Sequence, residues 1–329
     1  MNAGARQWQR VGWGAVLVAL CVLPFLFKNF RVFQLNLVLV YAIAVLGLNV
    51  LTGYNGQISL GHGAFYAIGA YTAAILMEYG GAPYWATPPV AAAICFAFGV
   101  LIGFPALRLA GPYLALATFA LALAVPQLLK YDAIEQWTGG VQGIVLMKPD
   151  PPFEFALFGQ PLSPDRWLYL YTLAIAVLMF VIARNLLRGR VGRALIAIRD
   201  HPIAAAAMGI DLARFKTLAF GVSAAFTGVA GALGAVVVSF VAPDSFTVFL
   251  SIFLLVGAVV GGLASISGAI FGAIFIQFVP NVADEISKSA PWAIYGVFLI
   301  AFMLLMPSGV SGMLQKLWAR LVPRPEGRR

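Results

Sequence analysis

The sequence predicts an all-α polytopic membrane protein with about ten transmembrane helices, a broken or re-entrant Gly-rich segment and a cytoplasmic coupling helix. Three observations carry the membrane class. Hydrophobic residues make up 62% of the 329 and charged residues 10%, against about 45–50% and about 25% in soluble domains. Mean hydropathy is +0.93. The apolar residues fall into runs close to the ~20 residues that a helix needs to cross a ~30 Å hydrocarbon core at ~1.5 Å per residue. With only 21 basic and 12 acidic residues to cover a chain of this length, a soluble enzyme, a nucleic-acid binder and a disordered chain are excluded. The chain reads as one integral domain, 1–329.

Runs bounded by Pro, Gly or charge place spans at 11–27, 33–51, 63–79, 88–107, 112–129, 167–187, 216–241, 247–262, 268–281 and 291–307. The eighth and ninth are short and alternatively form one broken or re-entrant element. The first follows Arg6 and Arg10 as a signal peptide would. Pro24, Phe25 and Phe27 follow it in place of a small-residue cleavage site, so it is read as an uncleaved span. Cys21 and Cys95 sit inside apolar runs and read as small hydrophobes.

Lys and Arg collect on cytoplasmic flanks. With the N-terminus inside, 15 of the 21 basic residues fall on the inner side, including Arg108, Arg184, Arg188, Arg190, Arg193, Arg199, Arg214, Lys216 and the basic tail 316–329. Nine of the 12 acidic residues fall outside. Ten spans with both termini cytoplasmic satisfy the rule. The middles of the spans hold few ionisable groups, which argues against a proton-driven carrier. Sodium coupling survives that test, since backbone carbonyls at helix breaks hold sodium.

Four segments are more than simple spans. Segment 51–63 packs Gly53, Gly56, Gly61 and Gly63 among Asn55, Gln57, Ser59 and His62. Unwound backbone at membrane depth survives only where protein buries it or water lines it. The segment is therefore either a broken helix beside a translocation path or a tight turn of small packing residues. The exoplasmic loop, about 130–166, carries Thr138 and Gln142 and a Pro-rich stretch. Either it meets a delivery protein or caps the pathway mouth, or it is a solvated connector. The third, cytoplasmic segment is 188–216. Asp200 is a plausible N-cap there, Pro202 suits a first turn, Ala204–Ala207 favour helix and Gly209 stops it. Apolar Ile203, Ala207 and Met208 are then available to a partner's groove; the alternative is a basic loop lying on anionic lipid. The small residues of 257–272 favour close helix packing.

The sequence has no Gly-Lys dipeptide and hence no usual Walker A loop, no HExxH, no zinc-spaced Cys/His set and no GxSxG elbow. Energy for uphill transport must come from a gradient or a partner.

The string LTGYNGQISLGHGAFYAIGAYTAA at 51–74 closely resembles the signature of LivM-type permeases, membrane subunits of bacterial ABC importers for branched-chain amino acids. GRALIAIRDHPIAAAAMGIDLARFKTLAF at 192–220 resembles that family's coupling region, and TGGVQGI at 138–144 and GGLASISGAIFGAIF at 261–275 match in place and order. The resemblance covers about residues 35–310. It implies a multi-pass protein of the bacterial inner membrane, with four kinds of partner: a LivH-like sister permease, two ABC ATPase subunits, a periplasmic amino-acid-binding protein and the lipid bilayer. Nucleic acid is not among them. It implies no cofactor or metal on this chain, ATP being used by the ATPase subunits, and no catalytic residue. It implies a coupling helix of Arg199, Asp200, Pro202, Ile203, Ala204, Ala205, Ala206, Ala207, Met208 and Gly209. Many family members carry a glutamate where this chain has Ala206, so an anionic contact there is missing or supplied elsewhere. Related permeases carry urea and other small amides.

Two other classes stand beside an ABC importer subunit. A sodium-coupled carrier of two inverted five-helix halves should repeat the glycine break near 241–247, where the sequence has no matching run. An intramembrane enzyme would have to use His62, without a second catalytic group nearby in sequence.

Overall fold

The computed structural model describes residues 3–321 except 110, 158 and 289. Arg324, Glu326, Arg328 and Arg329 of the basic tail lie outside the described residues, as do the side chains of Arg6, Arg10 and Arg320. Fourteen helices follow in order: α1 Ala3–Leu26, α2 Asn29–Asn49, α3 His62–Glu78, α4 Thr87–Ala106, α5 Pro112–Leu128, α6 Asp132–Thr138, α7 Pro164–Arg188, α8 Arg190–Asp200, α9 Pro202–Ala207, α10 Leu212–Val238, α11 Val248–Gly261, α12 Gly268–Ile286, α13 Pro291–Leu305 and α14 Gly309–Leu321. A wider π-helical turn, Val50–Tyr54, continues α2.

All ten apolar runs are helical, but the count of ten spans is corrected. Among the described residues seven helices are long and apolar enough to cross a membrane, or eight if α5 and α6, bent by 79°, are one span. Helices α3 and α5 have 17 residues each, about 25 Å of rise, because α3 starts after an unwound stretch and α5 ends at a bend. The 247–262 and 268–281 runs form two helices, α11 and α12, and not one re-entrant element.

The polar contacts between connections fall into two sets. In one, Lys130 pairs with Asp244 at 2.5 Å, Lys148 with Asp165 at 2.6 Å, and Trp167 Nε1 donates to the Tyr84 hydroxyl. In the other, Arg199 reaches Gly53 and Asn49 reaches the 262–265 turn.

Helices α2, α3 and α10 form the centre, and α10 is buried along most of its length from Ala219 to Val237. A helix hydrophobic all round must be enclosed by others or by lipid. What draws these helices together is small residues. A Cβ on Gly69 would collide with the Gly228 backbone, and one on Gly231 with the Tyr66 carbonyl oxygen. In a bilayer, where apolar burial between helices gains little over lipid, such close backbone approach is what favours association. Cys95 is buried against Gly228, as a small hydrophobe would be, whereas Cys21 is exposed; both are free thiols. Outward-facing apolar side chains, such as Leu304 and Leu305 of α13, are exposed as lipid contact requires.

The 130–166 connection is largely exposed but carries structure of its own. Ile144–Val145 pairs antiparallel with Phe240–Val241, and Ala156–Leu157 with Gln160–Pro161. Arg166 is buried, donating from Nε to the Pro24 carbonyl at 3.2 Å, from Nη1 to that of Pro161 at 2.5 Å and from Nη2 to Gln160 Oε1 at 2.8 Å. Three carbonyl-type acceptors satisfy the guanidinium fork. They tie the end of α1 to the start of α7.

Candidate functional site: a polar clamp on a broken helix

The helix of α2 widens at Val50–Tyr54 because Asn49 folds over Gly53. A Cβ at Gly53 would strike the Asn49 side chain and the Ala264 backbone nitrogen. The Asn49 amide is saturated by the 262–265 turn. Its Oδ1 accepts from Ala264 N–H at 2.8 Å, and its Nδ2 donates to the Ser265 carbonyl at 2.8 Å. Gly56 then turns the chain with φ +75°, a conformation that glycine adopts without penalty. Thr52 Oγ1 donates to the Gln57 carbonyl at 3.0 Å and Asn55 Nδ2 to Gln57 Oε1 at 2.7 Å.

From Gly56 to Gly61 the backbone is not helical, α3 begins at His62, and four helices hold the stretch 59–63. Thr118 of α5 accepts the Leu60 N–H at 2.9 Å, and Ser251 of α11 accepts the Gly63 N–H at 2.8 Å. His62 is fully buried, with Nδ1 3.0 Å from Ser59 Oγ and Nε2 2.6 Å from Ser223 Oγ of α10. The partners fix the proton. The Ser223 hydroxyl donates to the Gly47 carbonyl of α2 at 2.6 Å, so its oxygen accepts from His62 Nε2–H. Nδ1 is then the acceptor, the Ser59 hydroxyl is its donor, and Ser59 Oγ in turn accepts from Gly61 N–H at 3.3 Å. Every link in this chain has one donor and one acceptor. His62 is a neutral staple joining α2, α3 and α10, a role that leaves neither ring nitrogen for a substrate.

The candidate path residues do not form one cluster. Asn55, Gln57, Ser59 and His62 share one buried neighbourhood. Thr138 and Gln142 lie at the opposite end of α3: Trp137 stacks edge-on against Tyr79 at 5.7 Å, about 25 Å along α3 from His62. Thr138 is buried, donating to the Ile134 carbonyl and accepting from Gly140 N–H, while Gln142 is exposed. Gly61 and Gly63 are close-approach positions, where a Cβ would press on the Thr118 carbonyl at 2.8 Å and on Ser251 Oγ at 2.7 Å. Asn55 Oδ1 is buried with no hydrogen-bond partner among the described residues. Asn49, Thr118, Ser223 and Ser251 were not legible as site residues, since each is one polar residue in an apolar run.

The coupling segment is helical as expected but divided differently. Asp200 does not cap α9; it ends α8, and its Oδ1 accepts from Arg199 Nε at 2.9 Å. The break falls at His201, with φ −149° and ψ 87°, because the residue before a proline is driven out of the α region. Upstream, Ala194, Leu195 and Ile198 are buried, which keeps the chain helical through Asp200. The stop at Gly209 is as read: φ is +82°, Gly209 N–H bonds the Ala206 carbonyl and Ile210 N–H that of Ala205, the paired bonds of a Schellman motif. Of α9 only Ala205 is buried. Ala206 is exposed, and Ile203 and Met208 are 86% and 84% exposed.

Residues 31–307 match the family model described as the branched-chain amino acid transport system / permease component. The chain belongs to this family. It is 39% identical over 262 residues to the high-affinity branched-chain amino acid transport system permease protein LivM of Escherichia coli (strain K12), and 38% identical over 262 residues to that of Salmonella typhimurium. Each alignment covers 74% of this chain, which spans 61% of the length of those relatives. No solved structure matches it. Both the clamp and the coupling segment of this permease lie within the matched residues, and family membership places the chain among transport components, not among enzymes.

Proposed function

We propose that this chain is the membrane-spanning permease subunit of an ATP-driven importer for branched-chain, apolar amino acids. It lies in the bacterial cytoplasmic membrane with both termini cytoplasmic. Its proposed partners are a LivH-like sister permease, two ABC ATPase subunits that use the ATP, and a periplasmic amino-acid-binding protein; the chain itself holds no cofactor. The observation that carries the reading is α9: a six-residue helix, stopped by glycine, that with its C-cap presents Ile203 and Met208 uncovered among the described residues. Two large exposed apolar side chains, one in the first turn of a short helix and one at its C-cap, beside a basic segment, fit a groove on a soluble subunit.

ATP closes the ATPase pair, α8–α9 move with it, and the helices around the clamp exchange outward for inward access. The clamp is polar but uncharged. A neutral path suits a zwitterion, since tight charge pairing would hold the substrate too long. Asn55 Oδ1, with no hydrogen-bond partner among the described residues, is the acceptor we assign to the substrate ammonium group. To test the reading, the chain is reconstituted with its partner subunits in vesicles and ATP-dependent leucine uptake is measured, with urea as competitor. Leucine uptake requiring all subunits is expected. Uptake persisting without any ATPase subunit overturns the importer assignment, and inhibition by urea but not by valine moves the substrate to small amides.

A further inference from the structure

The coupling segment and the broken helix touch at one polar contact. Arg199, two residues before the His201 bend, donates from Nη1 to the Gly53 carbonyl at 2.9 Å. That carbonyl lies in the last turn of a helix, where oxygens lack intrahelical donors. The next two amides do not serve it: Gly56 N–H bonds the Thr52 carbonyl and Gln57 N–H that of Leu51. The Arg199 stem also lies on Gly56, where a Cβ would come within 2.8 Å of Arg199 Cγ. Asp200 accepts from the guanidinium through Nε, so the side chain is fixed by two acceptors on different nitrogens of its planar fork. Leu195 and Ile198 bury the face of α8 from which Arg199 extends. Segment 53–57 leads directly into the backbone that Thr118, Ser223 and Ser251 hold.

We infer that Arg199 is the positioning residue through which motion of α8–α9 reaches the unwound segment 55–61, so that a push on Ile203 and Met208 reorients the clamp. This rests on the permease reading above and adds to it the residue that transmits the stroke. The two bonds leave from different nitrogens, Nε to Asp200 and Nη1 to Gly53; a lysine ammonium carries its three donors on one atom and cannot span both acceptors in this geometry, so arginine suits the position.

The test uses the assembled importer in nanodiscs and vesicles, with wild type, R199A, R199K and G56A. Spin labels at Ile58→Cys and Ala207→Cys, in a Cys21→Ser, Cys95→Ala background, report whether the two segments move as one. In the wild type the label distance keeps a single population with and without ATP. In R199A that distribution shifts or broadens on ATP binding, and uptake per ATP hydrolysed falls about tenfold while the ATPase subunits stay bound. R199K, keeping a single-point cation, recovers part of the loss. G56A, which wedges a methyl against Arg199, behaves like R199A. If R199A does not insert, R199K and G56A carry the same two readouts. An unchanged distance population with wild-type uptake per ATP in R199A and G56A overturns the inference. So does loss of ATPase attachment in R199A, which would make Arg199 a docking contact. A wild-type complex that binds no ATPase, or takes up leucine without ATP, defeats the permease reading itself and the inference with it.

Discussion

The two helix breaks of this permease, at 50–61 and at 201–209, use similar residues and are completed in opposite ways. Both have a glycine at positive φ, Gly56 at +75° and Gly209 at +82°, and both join apolar or small-residue helices. The first is enclosed. Its amides and hydroxyls find partners on α2, α5, α10 and α11, and His62 at its end is fully buried. The second satisfies its own backbone through the turn at Gly209 and leaves Ile203 and Met208 outside. An irregular backbone in a membrane must be sealed by its own protein, because lipid offers no hydrogen bonds. At the aqueous surface water satisfies the backbone, so side chains there are free to serve a partner. The difference separates residues that hold this protein together from residues that connect it to something else.

The largest effect should follow from breaking the enclosed side. His62→Ala removes both bonds of the staple, leaves Ser59 only its bond from Gly61 N–H and Ser223 only its bond to the Gly47 carbonyl, opens a cavity, and should cost about 3 kcal/mol. Thermal unfolding in detergent, read by fluorescence, checks it; a stability within experimental error of wild type would show that the staple contributes nothing. Gly231→Ala probes the packing around the same helices. The added methyl meets the Tyr66 carbonyl and should cost about 2 kcal/mol by forcing α3 from α10. The same unfolding assay should give a lowered midpoint even though no hydrogen bond is removed. The smallest effect belongs to the exposed break. Replacing Ile203 and Met208 with Asp should change stability by no more than about 0.5 kcal/mol, yet weaken capture of the ATPase subunits at least about tenfold. If that double variant unfolds early and still holds the ATPases, the contrast between the two breaks is wrong.

Sequence was informative where pattern repeats and silent where a single residue decides. The ten apolar runs are all helices, since length and hydropathy suffice to specify a helix in lipid. Their number as full spans was over-read at three places: α1, whose apolar part among the described residues is only Val16–Leu26, α3, which starts after the unwound 56–61 stretch, and α5, which ends at a bend. The glycine-polar run at 51–63 announced itself by density. Its anchors did not: Asn49, Thr118, Ser223 and Ser251 each have apolar or small neighbours on both sides in sequence, and only the packing of α2, α5, α10 and α11 turns them toward one segment. Thr138 and Gln142, grouped with the clamp by their polarity, belong to the far end of α3.

Composition and periodicity alone determined that this chain is a bundle of membrane helices and that the segment stopped by Gly209 is a short helix, because these are local consequences of side-chain hydropathy and backbone freedom. Tertiary structure decided which lone polar residues meet, which proton state of His62 they impose, and that Arg199 crosses from the coupling segment to the Gly53 carbonyl. Those contacts join residues between 146 and 216 positions apart in the case of Arg199–Gly53, His62–Ser223 and Asn49–Ser265. A hydrogen bond specifies such a pair only after helix packing has brought the two groups within reach.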